Sequence, residues 1–77
     1  MAKIAINSKT LTEVLDGAGF CYSESEIKYY FGANAAEAET AGEILLSPRT
    51  QINGIADKKI WAQTTGFSSG YVTAITE

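Results

Sequence analysis

Nine carboxylates, six amino or guanidino groups, one thiol and no histidine are what this 77-residue chain offers for chemistry. Without an imidazole the commonest general base is missing, so catalysis would have to rest on paired carboxylates, a lysine or Cys21. The closest acids, Glu24 with Glu26 and Glu37 with Glu39, fall in polar segments that read as solvated loops, and nothing holds their separation. Cys21 lies between Phe20 and Tyr22 with no basic neighbour to favour the thiolate, which makes it a small core residue rather than a nucleophile. A single cysteine closes no internal disulfide, and without histidine the common zinc ligand sets cannot be assembled. The stretch 66–70 has the glycines and serines of a phosphate cradle, but lacks the lysine and the following helix that such a loop needs. The expectation is a protein that is not an enzyme and holds no cofactor or metal.

Charge narrows the partners. The net charge is −3, and Lys3, Lys9, Lys28, Arg49, Lys58 and Lys59 are scattered without forming a basic stripe, so binding to nucleic acid through its phosphates is not expected. The amino-terminal residues lack the apolar run of a signal peptide and no segment approaches the length of a membrane span, so the chain is expected to be made in the cytoplasm and to act away from membranes.

The elements that must position any binding residues read as strands. Residues 2–7 alternate, with Ile4 and Ile6 on one face. Residues 10–15 fit both a capping box and a strand in which Leu11, Glu13 and Leu15 share a face; a helix so short would barely exceed one turn, which favours the strand. After a turn at 17–19, extended segments follow at 20–22 and 27–31, separated by a polar corner at 23–26. Residues 33–42 favour helix by composition but are too few to nucleate one alone, so a surface loop with at most one helical turn is expected. Residues 43–46 read as a short strand ended by Pro48, and 51–55 as another interrupted by a tight turn at Asn53 and Gly54. Residues 60–64 and 71–75 both alternate and are predicted to form the two arms of a hairpin. The sum is one all-β domain over 1–77, a small antiparallel sandwich or barrel of about six to eight short strands.

Such a chain has a thin core. Eleven of its apolar residues are alanines, and in a domain of this size apolar burial and lost conformational entropy nearly cancel. With disulfide and metal closed as routes to stability, association with copies of itself or with a partner is the route left. The residues that would serve it are Tyr30, which faces outward if Ile27, Tyr29 and Phe31 face inward; Trp61, either a core anchor or a contact residue; Phe67, which either folds back or waits for a partner; Tyr71; and Ile4 and Ile6 on a first strand that pairs within its own subunit or is exchanged with another.

The order Thr12-Glu13-Val14, Gly19-Phe20-Cys21-Tyr22, Tyr29-Tyr30-Phe31-Gly32, Gly42-Glu43-Ile44-Leu45-Leu46-Ser47-Pro48, Lys59-Ile60-Trp61-Ala62-Gln63 and Tyr71-Val72-Thr73-Ala74-Ile75 resembles small β-sandwich virion proteins of tailed bacteriophages, of the head-decoration or fibre-associated type. In place of the proline often found after the Tyr-Phe-Gly strand of that family, this chain has Ala35-Ala36. The resemblance implies an accessory structural subunit of the virion, a capsid decoration or cementing protein. Such a subunit binds a major capsid or other virion protein and itself, commonly as a trimer, and carries no catalytic residue. Two other readings stand beside it: a receptor- or glycan-binding module of a fibre or spike, using an exposed Trp61 or Tyr71 as a platform for a sugar, and a small inhibitor of a host enzyme acting through its acidic surface.

Overall fold

Turn signals about every ten residues cut the chain into eight strands, which the computed structural model, describing residues 2–66 and 69–76, places in two sheets. They are β1 (Ala2–Ile6), β2 (Thr12–Asp16), β3 (Gly19–Ser23), β4 (Ile27–Gly32), β5 (Ile44–Leu46), β6 (Ile52–Asn53), β7 (Lys59–Thr64) and β8 (Gly70–Thr76), with one helix, α1 (Ala35–Ala41), between β4 and β5. The front sheet has the order β1-β8-β3-β6 and the back sheet β2-β7-β4-β5, and every pairing is antiparallel. The molecule is an all-β sandwich.

Between the sheets lies one apolar cluster. Ile6, Cys21, Val72 and Ala74 reach into it from the front sheet, and Val14, Leu15, Ile27, Tyr29, Ile60 and Ala62 from the back. The period-two alternation of β7 and β8 is what delivers these residues to one side. In β2 the alternation breaks: a register shift between Glu13 and Leu15 opposite β7 turns both Val14 and Leu15 inward, where strict alternation would share the face among Leu11, Glu13 and Leu15.

Four expectations are corrected. Residues 60–64 and 71–75 do not form a hairpin: β7 lies between β2 and β4 in the back sheet, and β8 between β1 and β3 in the front. Alternation assigns each strand an inner and an outer face but does not say which strand it neighbours. Asn53 and Gly54 take no positive φ; Gly54 donates its N–H to the Gly19 carbonyl at 2.8 Å, and a Cβ there would collide with the Gly17 carbonyl oxygen. Glycine serves there as a point of close approach between the residue after β6 and the turn after β2 rather than as a turn residue. Ser23 belongs to β3 rather than to a corner; it is buried and its hydroxyl donates to the Tyr71 carbonyl at 2.9 Å.

The fourth correction concerns 33–42, which hold a seven-residue helix rather than a loop with at most one turn. The Asn34 side chain accepts from the Glu37 N–H at 2.9 Å, and at the other end Gly42, with φ +97°, returns its N–H to the Ala38 carbonyl. What the local sequence lacked was the support of the sheet. Ala38 is fully buried, and a Cβ on Gly32 would lie 2.5 Å from the Ala38 nitrogen, so the bare backbone of β4 lets the helix settle on it.

Candidate functional site

The helix makes the two outer faces unequal. On the back sheet α1 lies against β4, and Tyr30 beneath it is only 7% exposed although it faces away from the core. The Tyr30 hydroxyl donates to Gln63 Oε1 at 2.6 Å, and Gln63 Nε2 in turn donates to the Ser8 carbonyl at 3.3 Å. Burial, then the charge of Glu43, pushes the Tyr30 hydroxyl above its ordinary pKa. The outward direction expected of Tyr30 is therefore right, but the side chain is covered by its own chain. Trp61, in register with Tyr30 on β7, is also on this outer face and not in the core; it is half-buried, with its indole N–H donating to the Gly32 carbonyl at 3.0 Å.

The outer face of the front sheet has no helix over it. Because Cys21, Val72 and Ala74 point inward, Phe20 and Tyr22 on β3 and Tyr71, Thr73 and Ile75 on β8 must point out. The register sets Phe20 beside Ile75 and Tyr22 beside Thr73, and on the other side of β8 Lys3 beside Thr73 and Ala5 beside Tyr71. Tyr71 is 55% exposed and carries the Lys3 ammonium 4.9 Å from its ring centroid, a cation–π contact. Two shallow hollows lie along this face. One, of about 400 Å³, is bounded by Lys3, Tyr22, Glu24, Ser25, Tyr71 and Thr73; the other, of about 430 Å³, by Phe20, Gly19, Asn53, Gly54 and Ile75. Glu24 at the margin is held by Arg49, Nε to Oε2 at 3.0 Å.

Of the residues singled out in the sequence, Tyr71 alone stands exposed on this open face. Ile6 is in the core, Ile4 is half-buried against it, and β1 pairs with β8 of its own chain. Phe67 lies outside the described residues. Lys3, Phe20, Tyr22, Thr73 and Ile75 were missed, and the signal was at hand: once Cys21 is taken as a core residue, its neighbours Phe20 and Tyr22 have to face solvent.

The groups with reactive chemistry are scattered. Glu24, Glu26, Glu37 and Glu39 are all exposed, the first pair after β3 and the second on α1. Cys21 is completely buried, and burial pushes its thiol up to about 11, with the Tyr29 hydroxyl opposing the shift. Tyr29 is raised further, by burial first and then by Cys21; its hydroxyl has no conventional hydrogen-bond partner, the thiol being the polar group that acts on it. Among the described residues no group of three or more His, Cys, Asp or Glu is placed to hold a metal ion. What the open face can do is bind: it presents aromatic and aliphatic side chains on a rigid sheet, with charges at the margin. Comparison with known proteins found no matching protein family, no matching curated protein and no matching solved structure.

Proposed function

We propose that this chain is a non-enzymatic structural subunit of a phage virion, a capsid decoration or cementing protein that lays the outer face of its front sheet on a larger virion protein. The observation that carries this reading is the inequality of the two faces. On the back sheet α1 covers β4 and touches β7, leaving Leu45 of β5 exposed beside it, whereas the front sheet leaves Phe20, Tyr22, Tyr71 and Ile75 in a band across β3 and β8. Tyrosine and phenylalanine are the side chains enriched at protein interfaces, and a margin of Lys3 and Glu24 suits the polar rim such patches carry. The molecule is a slab of 31 × 27 × 18 Å, and its broad side matches in scale the roughly 800 Å² that a standard interface takes from each partner.

Co-sedimentation with purified heads of the phage whose genome encodes the chain tests this. The wild type is expected to saturate the heads. Tyr71→Ala combined with Phe20→Ser should weaken binding by about 2 kcal/mol or more, roughly thirtyfold. Leu45→Ser, an exposed position on the back sheet, should leave binding unchanged. Undiminished binding of the double variant would remove the front face from the mechanism, and no binding by the wild type would remove the virion reading.

A glycan-binding module is the second reading, and Tyr71 favours it. An exposed ring beside the ammonium of Lys3, the carboxylate of Glu24 and the hydroxyls of Ser25 and Thr73 offers the stacking surface and the donors and acceptors that a sugar needs. Trp61 does not share in this, because it lies half-buried on the outer face of the other sheet. Saturable shifts of the Tyr22, Tyr71 and Thr73 resonances on titration with oligosaccharides, without binding to heads, would move the assignment to this reading.

A further inference from the structure

Four strands edge the two sheets: β1 and β6 in front, β2 and β5 behind. Three of them offer little to a second chain. β6 is two residues long, β5 is three and is followed closely by Pro48, and β2 is broken by its register shift. β1 is different. Its five residues run in unbroken register against β8, and no strand among the described residues pairs with its other side. Exposed edges are normally closed by a proline, a bulge, an inward charge or a lysine. Ala2-Lys3-Ile4-Ala5-Ile6 has only the lysine, and the Lys3 ammonium is drawn over the ring of Tyr71 on β8, the strand on the inner side. The residue that would guard this edge is held over the face of the sheet instead.

We propose that two copies of this chain pair through β1, antiparallel about a two-fold axis at Ile4, joining two front sheets into one continuous sheet of eight strands. The register follows from charge and from the side-chain period. A two-fold at Ile4 sets Ile4 opposite Ile4 of the second copy, Lys3 opposite Ala5, and Ala2 opposite Ile6, so all five residues are paired, Ile4 meets its own twin and the exposed Lys3 meets the exposed Ala5. Sliding by one pleat in one direction sets Lys3 opposite Lys3, which like charge disfavours; sliding the other way leaves only residues 4–6 paired. The half-buried Ile4 gains its own twin as cover, and the small Ala5 leaves room for the lysine stem. This pairing is a dimer and not the trimer implied by the resemblance, and it stands whatever docks on the open face.

The test is the native mass of the full chain across a dilution series through the micromolar range, by sedimentation equilibrium, with melting recorded at each concentration. A dimer whose melting temperature falls on dilution is expected. Ala5→Lys, at an exposed position, sets a lysine opposite Lys3 twice per dimer and should raise the dissociation constant by about tenfold. The pair Lys3→Glu with Ala5→Lys sets opposite charges there and should restore the dimer, with the circular dichroism of the dilute monomer unchanged in all three chains. A monomer at every concentration, a trimer, or a dimer indifferent to Ala5→Lys would each overturn the proposal.

Discussion

Cys21 and Tyr29 are, among the described residues, the two most deeply placed polar side chains, and each is held in its neutral form by the same lack of water. The thiol is protonated in the fold but ionises in the unfolded chain from pH 9.0, so its contribution to stability is whole below that pH, declines as the pH rises toward about 11, and is lost above. Tyr29 acts in the same direction at higher pH. The melting temperature should therefore fall on the alkaline side of pH 9.0, and less steeply in Cys21→Ala than in the wild type; equal slopes in thermal melts would show that the thiol does not contribute. Tyr29→Phe removes a buried hydroxyl that has no conventional partner, and should leave stability unchanged or raise it by about 1 kcal/mol in a urea titration. A loss larger than that would mean the hydroxyl's contact with Cys21 is worth keeping. The burial of Cys21 was legible in its place between Phe20 and Tyr22. The cover over Tyr30 was not, because outward direction follows from its own strand but exposure depends on α1, which that strand does not specify.

Among the elements, α1 is the one whose existence depends on the strand it packs against. Seven residues are too few to hold a helix by propensity, so Asn34, Gly32 and Ala38 must make up the difference. Asn34→Ala should cost about 1 kcal/mol, the usual worth of a lost cap. Gly32→Ala should cost more, in the range of about 1–3 kcal/mol for an overpacked site, because the added methyl meets helix backbone rather than a side chain that can swing aside. Chemical denaturation checks the ranking. If the two costs came out reversed, the helix would be held by its cap and not by its seat on β4. The strand segments were legible because glycine, proline and polar clusters mark their ends. The false hairpin arose because β7 and β8 alternate equally well, and pairing partners are chosen by the whole core.

At the scale of the molecule the sandwich is interleaved. Every connection except that from β4 to β5 passes from one sheet to the other, so strands paired within a sheet are far apart in sequence. The class of fold was legible from strand spacing; this order was not, since nothing local to a strand says on which sheet the next one lies. Such non-local pairing places refolding in the slow range of about milliseconds to seconds expected of small β-sandwiches. Stopped-flow refolding followed by Trp61 fluorescence checks it, and a microsecond phase carrying the whole amplitude would contradict it.

The interleaving also governs how a contact on one side is felt on the other. β7, at the middle of the back sheet, leads directly into β8, at the middle of the front, and the Thr64 N–H at its end donates to the Asn7 carbonyl just beyond β1. Because consecutive strands alternate between the sheets, an opening that parts the sheets disrupts both at once, and the amides of the central strands β4, β7, β3 and β8 are expected to exchange through that shared opening. A ligand seated on the front face should then slow hydrogen exchange in β4 and β7, which it does not touch, as much as in β3 and β8, which it does.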